Sequence, residues 1–111
     1  MNKTIRVMTK LPGSPWRLRQ IDNTLEALQQ FVGGYIETVT LTLDVVVICN
    51  EEGRILGLPE NVRLCGVDFC GPVIVAGIKG ENFADLKMAY VKQWRLFAGE
   101  EPGDEEEDRD E

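Results

Sequence analysis

Alternation of apolar and polar residues predicts strands over much of the chain. TIRVMTK at residues 4–10 and WRLRQI at residues 16–21 both alternate, and the LPGSP between them is typical of a turn. YIETVTLTL at residues 35–43 alternates in the same way. LDVVVIC at residues 43–49 is instead nearly continuous and β-branched, which predicts a central strand covered on both faces.

A switch to helical spacing predicts a first helix between the second and third strands. Leu25, Leu28 and Val32 repeat at intervals of three and four residues, which places them on one face of a helix. Asn23 is expected to cap the first turn, and Gly33 to end the helix in a left-handed conformation. A helix this short needs to pack on a sheet to be stable in water.

A second helix with an aromatic stripe is predicted near the end of the chain, beginning at about Asn82. It carries four of the eight aromatic residues. Such a stripe is most often part of a core, but it could also line a dimer interface. The residues of the stripe are Phe83, Leu86, Tyr90, Trp94 and Phe97, and the candidates for the interface are Tyr90, Trp94 and Phe97.

The middle of the chain predicts a hairpin, a loop and a final strand. After a turn at NEEG (50–53), RILGL (54–58) is expected to pair back as a strand. Residues 59–71 are expected to form a loop, and PVIVAGI (72–78) the last strand. The whole order predicts an α+β fold, a small and mostly antiparallel sheet of about five or six strands with two helices packed on it.

The negative charge of the chain is concentrated in its last thirteen residues. The net charge is −7, yet residues 99–111 hold nine acidic residues and one arginine, and residues 1–98 have a net charge of +1. We expect a single domain at residues 1–98 and a disordered acidic tail at residues 99–111, because the tail has too few apolar residues to offset its ordering entropy. The tail could be a solubilising extension, a mimic of nucleic-acid charge or a contact for a basic partner.

Composition excludes the commonest catalytic and metal-binding designs. The chain has no histidine, so it has no Ser-His or Cys-His nucleophile pair. Its three cysteines, Cys49, Cys65 and Cys70, are expected to be reduced thiols and cannot build a closed zinc site within one chain. No phosphate-binding loop and no basic helix for nucleic acid is present. We therefore expect no metal, no cofactor and no direct nucleic-acid binding.

Polar residues at predicted strand ends form the candidate ligand site, because binding residues concentrate in such loops. Structural roles are the alternative, since Asn61 fits a turn and a glutamate of the group could pair with Arg63. An enzyme with Glu37, Glu51 or Glu52 as a general base also stays open. The candidate ligand-binding residues are Tyr35, Glu37, Asn50, Glu52, Asn61 and Arg63, with Glu51 beside them.

Three short stretches of the sequence resemble those of a known protein family. They are VGGYIE (32–37), ICNEEG (48–53) and GLPEN (57–61), and the resemblance extends over about residues 3–95. The family is a domain-of-unknown-function family of small proteins from phages, plasmids and conjugative elements of Gram-positive bacteria. Its typical members have adjacent asparagine and arginine in the loop, whereas Val62 intervenes here. The resemblance implies an accessory gene of a mobile element, and such genes often counter host defence.

These features predict a non-enzymatic binding protein that counters a host defence pathway. Its partner is expected to be a host protein or a small nucleotide-type ligand, and the protein is expected to form a homo-oligomer, with a dimer favoured. An alternative is that the acidic tail mimics nucleic acid and inhibits a DNA- or RNA-binding host protein. MNKTIRVMTK lacks the apolar core of a secretory signal and no apolar run could span a membrane, so we expect a cytoplasmic protein without membrane association.

Overall fold

The computed structural model describes the backbone of residues 3–98 and the side chains of residues 3–93. The predicted acidic tail at 99–111 and the side chains of Trp94 and Phe97 lie outside the described residues. The α+β class, with a mostly antiparallel sheet of six strands and two helices, is confirmed. The elements are β1 (Thr4–Lys10), β2 (Arg17–Asp22), α1 (Leu25–Val32), β3 (Ile36–Thr42), β4 (Val45–Asn50), β5 (Glu60–Leu64), β6 (Val67–Cys70), β7 (Val73–Lys79), β8 (Asn82–Ala84) and α2 (Met88–Ala98).

The main sheet has the strand order β2-β1-β7-β4-β3, and β8 adds to the end of β7. All its pairings are antiparallel. β5 and β6 form a separate two-stranded sheet. The two outermost strands of the main path are therefore β2 and β3.

Both faces of the main sheet are covered. On one face α1 packs through Leu28 and Val32 against a cluster that includes Val46 and Ile48 of β4. On the other face the β5–β6 hairpin and the start of α2 cover a second cluster, which includes Val47 of β4. Every residue of β4 is buried, which confirms the predicted central strand. Each large apolar side chain buried in this way contributes about 1.5–3 kcal/mol to folding.

The predicted strand at residues 54–58 is wrong. Residues 51–57 form successive turns, in which the Leu56 N–H donates to the Glu52 carbonyl and the Leu58 N–H donates to the Gly53 carbonyl. Ile55 and Leu56 project into solvent, so their apolar character does not report a buried strand face. The local backbone hydrogen bonds of this segment take the place of a strand pairing.

The predicted loop at residues 59–71 is also wrong, because it contains the β5–β6 hairpin. The two strands are joined by Cys65 and Gly66, both with positive φ (50° and 81°). Positive φ at both central residues is the geometry of the two-residue turn that best matches strand twist. A cysteine at the first of these positions is an uncommon choice, which explains why the sequence pattern predicted a loop.

The second helix begins six residues later than predicted, at Met88. Asn82 and Phe83 instead pair with β7 as β8, after a tight turn at Gly80. The Asp85 carboxylate accepts a hydrogen bond from the Arg6 N–H at 2.7 Å, which attaches the segment after β8 to β1. Phe83 therefore packs on the α1 side of the sheet, whereas Leu86 and Tyr90 of the predicted stripe pack on the other side.

The first helix is confirmed with a shifted cap. Thr24, not Asn23, is the N-cap, and its hydroxyl accepts from the Ala27 N–H at 3.1 Å. Asn23 donates instead through its side chain to the Phe83 carbonyl and through its backbone to the Lys3 carbonyl. Gly33 ends the helix with φ of 83°, as predicted.

Candidate binding cleft at the sheet edge

A cleft of about 410 Å³ lies where β3 begins and β4 ends, between these strands and β6. The turns at residues 51–57 close one side, and β3, the outermost strand, forms the side opposite the hairpin. We call this space the edge cleft. It is built from three segments that are distant in sequence, 37–39, 49–55 and 67–70.

Asn50 holds the closing turns to the rest of the fold. Its Nδ2 donates to the Val32 carbonyl at the end of α1 at 3.0 Å, and its Oδ1 accepts from the Glu52 N–H at 2.7 Å. A Cβ at position 34 would lie 2.9 Å from Nδ2 of Asn50, so a residue larger than glycine there would push the amide from its present position. Asn50 is buried and both ends of its amide are used within the chain, so its position defines the cleft wall.

The closing turns also lie tightly against β6. The Glu51 N–H donates to the Tyr35 carbonyl at 2.8 Å, which continues the β3–β4 pairing by one residue pair. Gly53 is buried, and a Cβ at this position would approach the Cys70 carbonyl to 2.8 Å. Only glycine lets the turn approach the hairpin this closely, which keeps the cleft narrow at this end.

The floor of the edge cleft is apolar. Val39 of β3, Cys49 of β4 and the buried ring of Phe69 on β6 line it. The Cys49 thiol donates weakly to the Glu37 carbonyl at 3.7 Å. Burial, with a smaller effect from the Glu37 charge, raises the pKa of Cys49 to about 11. A thiol with this pKa stays protonated near neutral pH, so it behaves as a small apolar group.

The rim of the cleft is mainly acidic. Glu37, Glu51, Glu52 and Asp68 line it and are exposed, and Arg54 is the basic residue among them. Arg54 donates to the Asp68 backbone carbonyl at 3.1 Å, so its guanidinium lies against the hairpin. The rim therefore presents net negative charge above an apolar floor.

The structure brings together three of the predicted ligand-binding residues, Glu37, Asn50 and Glu52, at the edge cleft. Tyr35 lies just before β3 with its ring 69% exposed, and it joins the site only through its backbone carbonyl. Arg63 does not line the cleft. It pairs with Asp68 across the hairpin at 2.9 Å rather than with a glutamate of the turns.

Asn61 has a structural position away from the cleft. Its Nδ2 donates to the carbonyls of Lys10 (2.9 Å) and Gly71 (2.7 Å), and its Oδ1 accepts from Nζ of Lys10. These bonds attach β5 to the end of β1. The separation of Asn61 from Glu52 follows from the hairpin, which the sequence pattern did not reveal.

Sequence reasoning missed the residues that β6 contributes. Val67, Asp68 and Phe69 all line the cleft, and they were assigned to a loop. The alternation of Val62 and Leu64 with the glycine at position 66 was the available signal for a hairpin.

The predicted interface residues lie on α2. Tyr90 is half-buried against the core, and its hydroxyl donates to the Asp44 carboxylate at 3.2 Å. Lys87 pairs with the same carboxylate at 3.1 Å. The Lys87 hydrogen bond, helped by those of Thr42 and Tyr90, lowers the pKa of Asp44. These contacts attach the start of α2 to the β3–β4 turn.

Within residues 3–98, no group of three or more acidic or cysteine side chains is arranged to hold a metal ion. The helices of this part of the chain are also too short or too polar to cross a membrane.

The fold and the cleft define a small α+β protein with a cleft at the edge of its sheet. The chain belongs to the family described as Domain of unknown function (DUF3846), whose family model matches residues 5–96. No curated protein and no solved structure matches the chain.

Proposed function

We propose that this protein is a non-enzymatic binding protein of phage or mobile-element origin that counters a host defence pathway by binding a host protein. The resemblance of its sequence to proteins of mobile elements supports the origin. The observation that carries the binding function is the edge cleft, with an apolar floor beneath an acidic rim. Apolar area gives affinity and a few charged groups give orientation in such sites.

The charge of the rim favours a protein partner over a nucleotide. Glu37, Glu51 and Glu52 would repel phosphate groups, and Arg54 is turned toward the hairpin. A lysine or arginine side chain fits better, because its alkyl stem can lie on Val39 and Phe69 while its charge meets the rim. We therefore assign a basic and apolar surface of a host protein to this cleft.

The chemistry of the floor supports binding rather than covalent catalysis. Cys49 lies in the floor, and its raised pKa keeps the thiol protonated at neutral pH. The side-chain nitrogen and oxygen of Asn50 both form hydrogen bonds within the chain, so the role of Asn50 is to position the cleft wall. The carboxylates of the rim are exposed to solvent and suit charge pairing with a partner.

Affinity capture from a bacterial host lysate tests the proposal. The tagged protein is compared with Glu52→Lys, which reverses a rim charge, and with Glu81→Lys, which makes the same change at an exposed turn outside the cleft. We expect the wild type and Glu81→Lys to retain the same host protein and Glu52→Lys to lose most of it. Glu52→Lys places a positive charge against the basic group of the partner, and such a like-charge contact costs several kcal/mol.

Two results would overturn the proposal. Equal capture by Glu52→Lys and Glu81→Lys would remove the cleft from recognition. Conversion of a metabolite by the purified protein, lost on Glu37→Gln, Glu51→Gln or Glu52→Gln, would make the protein an enzyme. Calorimetric titration with cyclic nucleotides completes the test, since saturable heat would support the nucleotide class instead.

The acidic tail supports a second candidate function. Nine carboxylates within residues 99–111 could present phosphate-like charge to a nucleic-acid-binding host protein. Deletion of residues 99–111 separates the two functions in the same capture experiment. If the shortened chain still retains the host protein, the tail is excluded as the binding element. If the shortened chain no longer retains the host protein, the result favours the tail over the cleft as the binding element.

A further inference from the structure

The outer edge of β3 carries backbone groups that face away from the sheet. In the β3–β4 register, Tyr35 lies opposite Glu51, and the Glu51 N–H donates to the Tyr35 carbonyl. Hydrogen-bonded and non-hydrogen-bonded pairs alternate along antiparallel strands. The N–H and C=O groups of Ile36, Thr38 and Thr40 therefore point outward, on the side where residues 3–98 supply no further strand.

The two edges of the sheet differ in the protection that their side chains give. β2, with the sequence RLRQID, places charges at Arg17, Arg19 and Asp22, and charged edge strands resist pairing with other chains. β3, with the sequence IETVTLT, carries one charge, at Glu37, and is otherwise apolar, threonine-rich and β-branched. The residues of β3 thus favour pairing with an added strand.

Exposed apolar side chains flank the β3 edge at both ends. Tyr35 directly precedes the strand, and Leu43, 98% exposed, directly follows it. Ile55, 83% exposed, stands on the closing turns of the edge cleft. Three large exposed apolar groups around one open edge suggest a surface that a partner covers.

We propose that the β3 edge binds an extended segment of the partner protein by strand addition, with alternate side chains of that segment entering the edge cleft. This inference rests on the proposed function, and it specifies how the cleft is used. The added strand bonds to the outward groups of Ile36, Thr38 and Thr40, which provides affinity without dependence on sequence.

The cleft supplies the sequence preference. Glu37 pairs with Cys49 and Val39 with Val47, so both β3 side chains lie on the hairpin face of the sheet. Residues of the added strand opposite them project on the same face. The segment therefore carries a basic residue opposite Glu37 and, two residues away, an apolar residue opposite Val39. The residues between them face the threonines on the α1 side.

Selection of displayed random twelve-residue peptides against the full chain tests this inference. We expect the enriched peptides to show basic and apolar residues at alternate positions and to lack proline in that stretch. Methylation of the backbone nitrogens that face β3 is expected to abolish binding of a selected peptide, whereas methylation at the intervening positions leaves it intact. This pair of peptides leaves the protein unchanged, so it avoids any effect on folding.

A matched pair of variants tests the edge itself. Thr38→Pro removes an outward N–H, and proline is tolerated at such positions of an edge strand. Thr38→Ala keeps the N–H. We expect Thr38→Pro to bind a selected peptide about tenfold more weakly, as for one lost hydrogen bond, and Thr38→Ala to bind like the wild type. Thermal unfolding of both variants checks that the fold is kept.

The outcomes separate this inference from the proposed function. Peptides that bind Thr38→Pro and the wild type equally, yet bind Glu52→Lys weakly, overturn strand addition and leave the cleft as the binding site. Failure to enrich any alternating peptide also overturns strand addition, while lysate capture still decides the proposed function. Dimerisation that Thr38→Pro abolishes would show instead that a second copy pairs at this edge.

Discussion

Replacement of Asn50 by alanine tests the assignment of this residue as the main attachment of the cleft wall. The amide joins the last turn of α1 to the closing turns, through bonds of 3.0 Å to the Val32 carbonyl and 2.7 Å from the Glu52 N–H. Alanine removes both bonds. It leaves the Val32 carbonyl, on a fully buried residue, without this donor.

The magnitude follows from these two bonds. Each intramolecular hydrogen bond contributes about 0.5–1.5 kcal/mol, and a buried polar group that loses its partner adds about 1–3 kcal/mol. We expect Asn50→Ala to lower the free energy of unfolding by about 3 kcal/mol. For a domain of this size that corresponds to a fall in Tm of about 12–24 °C. Such a loss is a large part of the total stability of a small protein.

Urea unfolding and amide hydrogen exchange measure the effect. Thr38→Ala, at an exposed position on the neighbouring strand, is the control and should change the free energy of unfolding by less than about 0.5 kcal/mol. The Glu52 amide should exchange much faster in Asn50→Ala than in the wild type. A loss of stability below about 0.5 kcal/mol, with the Glu52 amide still protected, would refute the assignment.

Three further predictions concern other parts of the molecule. Exposed Cys65 should react with a thiol reagent within minutes at pH 8. Buried Cys49 should stay unreactive until the pH nears its pKa of about 11. Equal reaction rates for the two thiols would contradict the burial of Cys49. The pKa of Asp44 is lower in the folded state than in the unfolded state, so the Asp44 carboxylate stabilises the fold above its unfolded pKa. This stabilisation is lost as the pH falls through the folded pKa. In Asp44→Asn the free energy of unfolding should therefore fall less steeply at acid pH than in the wild type. An unchanged fall would contradict the contact between Asp44 and Lys87. Trp94→Glu should yield a folded monomer if α2 forms a dimer interface; a monomeric wild type by light scattering excludes that interface.

The sequence predicted those elements whose local signals agreed with their tertiary environment. β4 is an example, because six consecutive buried residues leave a nearly continuous apolar run. α1 is another, since its apolar spacing and its terminal Gly33 act within the helix itself. Prediction failed where one local sequence pattern is compatible with two different structures. The segment from Asn82 to Leu86 has helical spacing, yet Asn82–Ala84 pairs with β7. The segment then crosses from one sheet face to the other, with Phe83 on the α1 side and Leu86 on the hairpin side.

The sequence grouped only some of the residues that line the edge cleft. Glu37 and Glu52 lie together because the start of β3 pairs with the end of β4, and Glu52 belongs to the turn that follows β4. Asn61 was grouped with them as a polar residue at a predicted strand end, but it lies in the β5–β6 hairpin and bonds to Lys10. Asp68 was not considered, although it lines the rim. Contacts between segments distant in sequence leave no periodic signal in either segment.

The sequence by itself determined the α+β class, the two helices, the buried central strand and the absence of imidazole chemistry, because each depends on composition or on a local repeat. Only the tertiary structure decided that β3 is an outer strand, that the β5–β6 hairpin stands over one face, and that a cleft lies between them. Strand order and cleft shape arise from long-range packing of side chains, which many local sequence patterns can satisfy equally well.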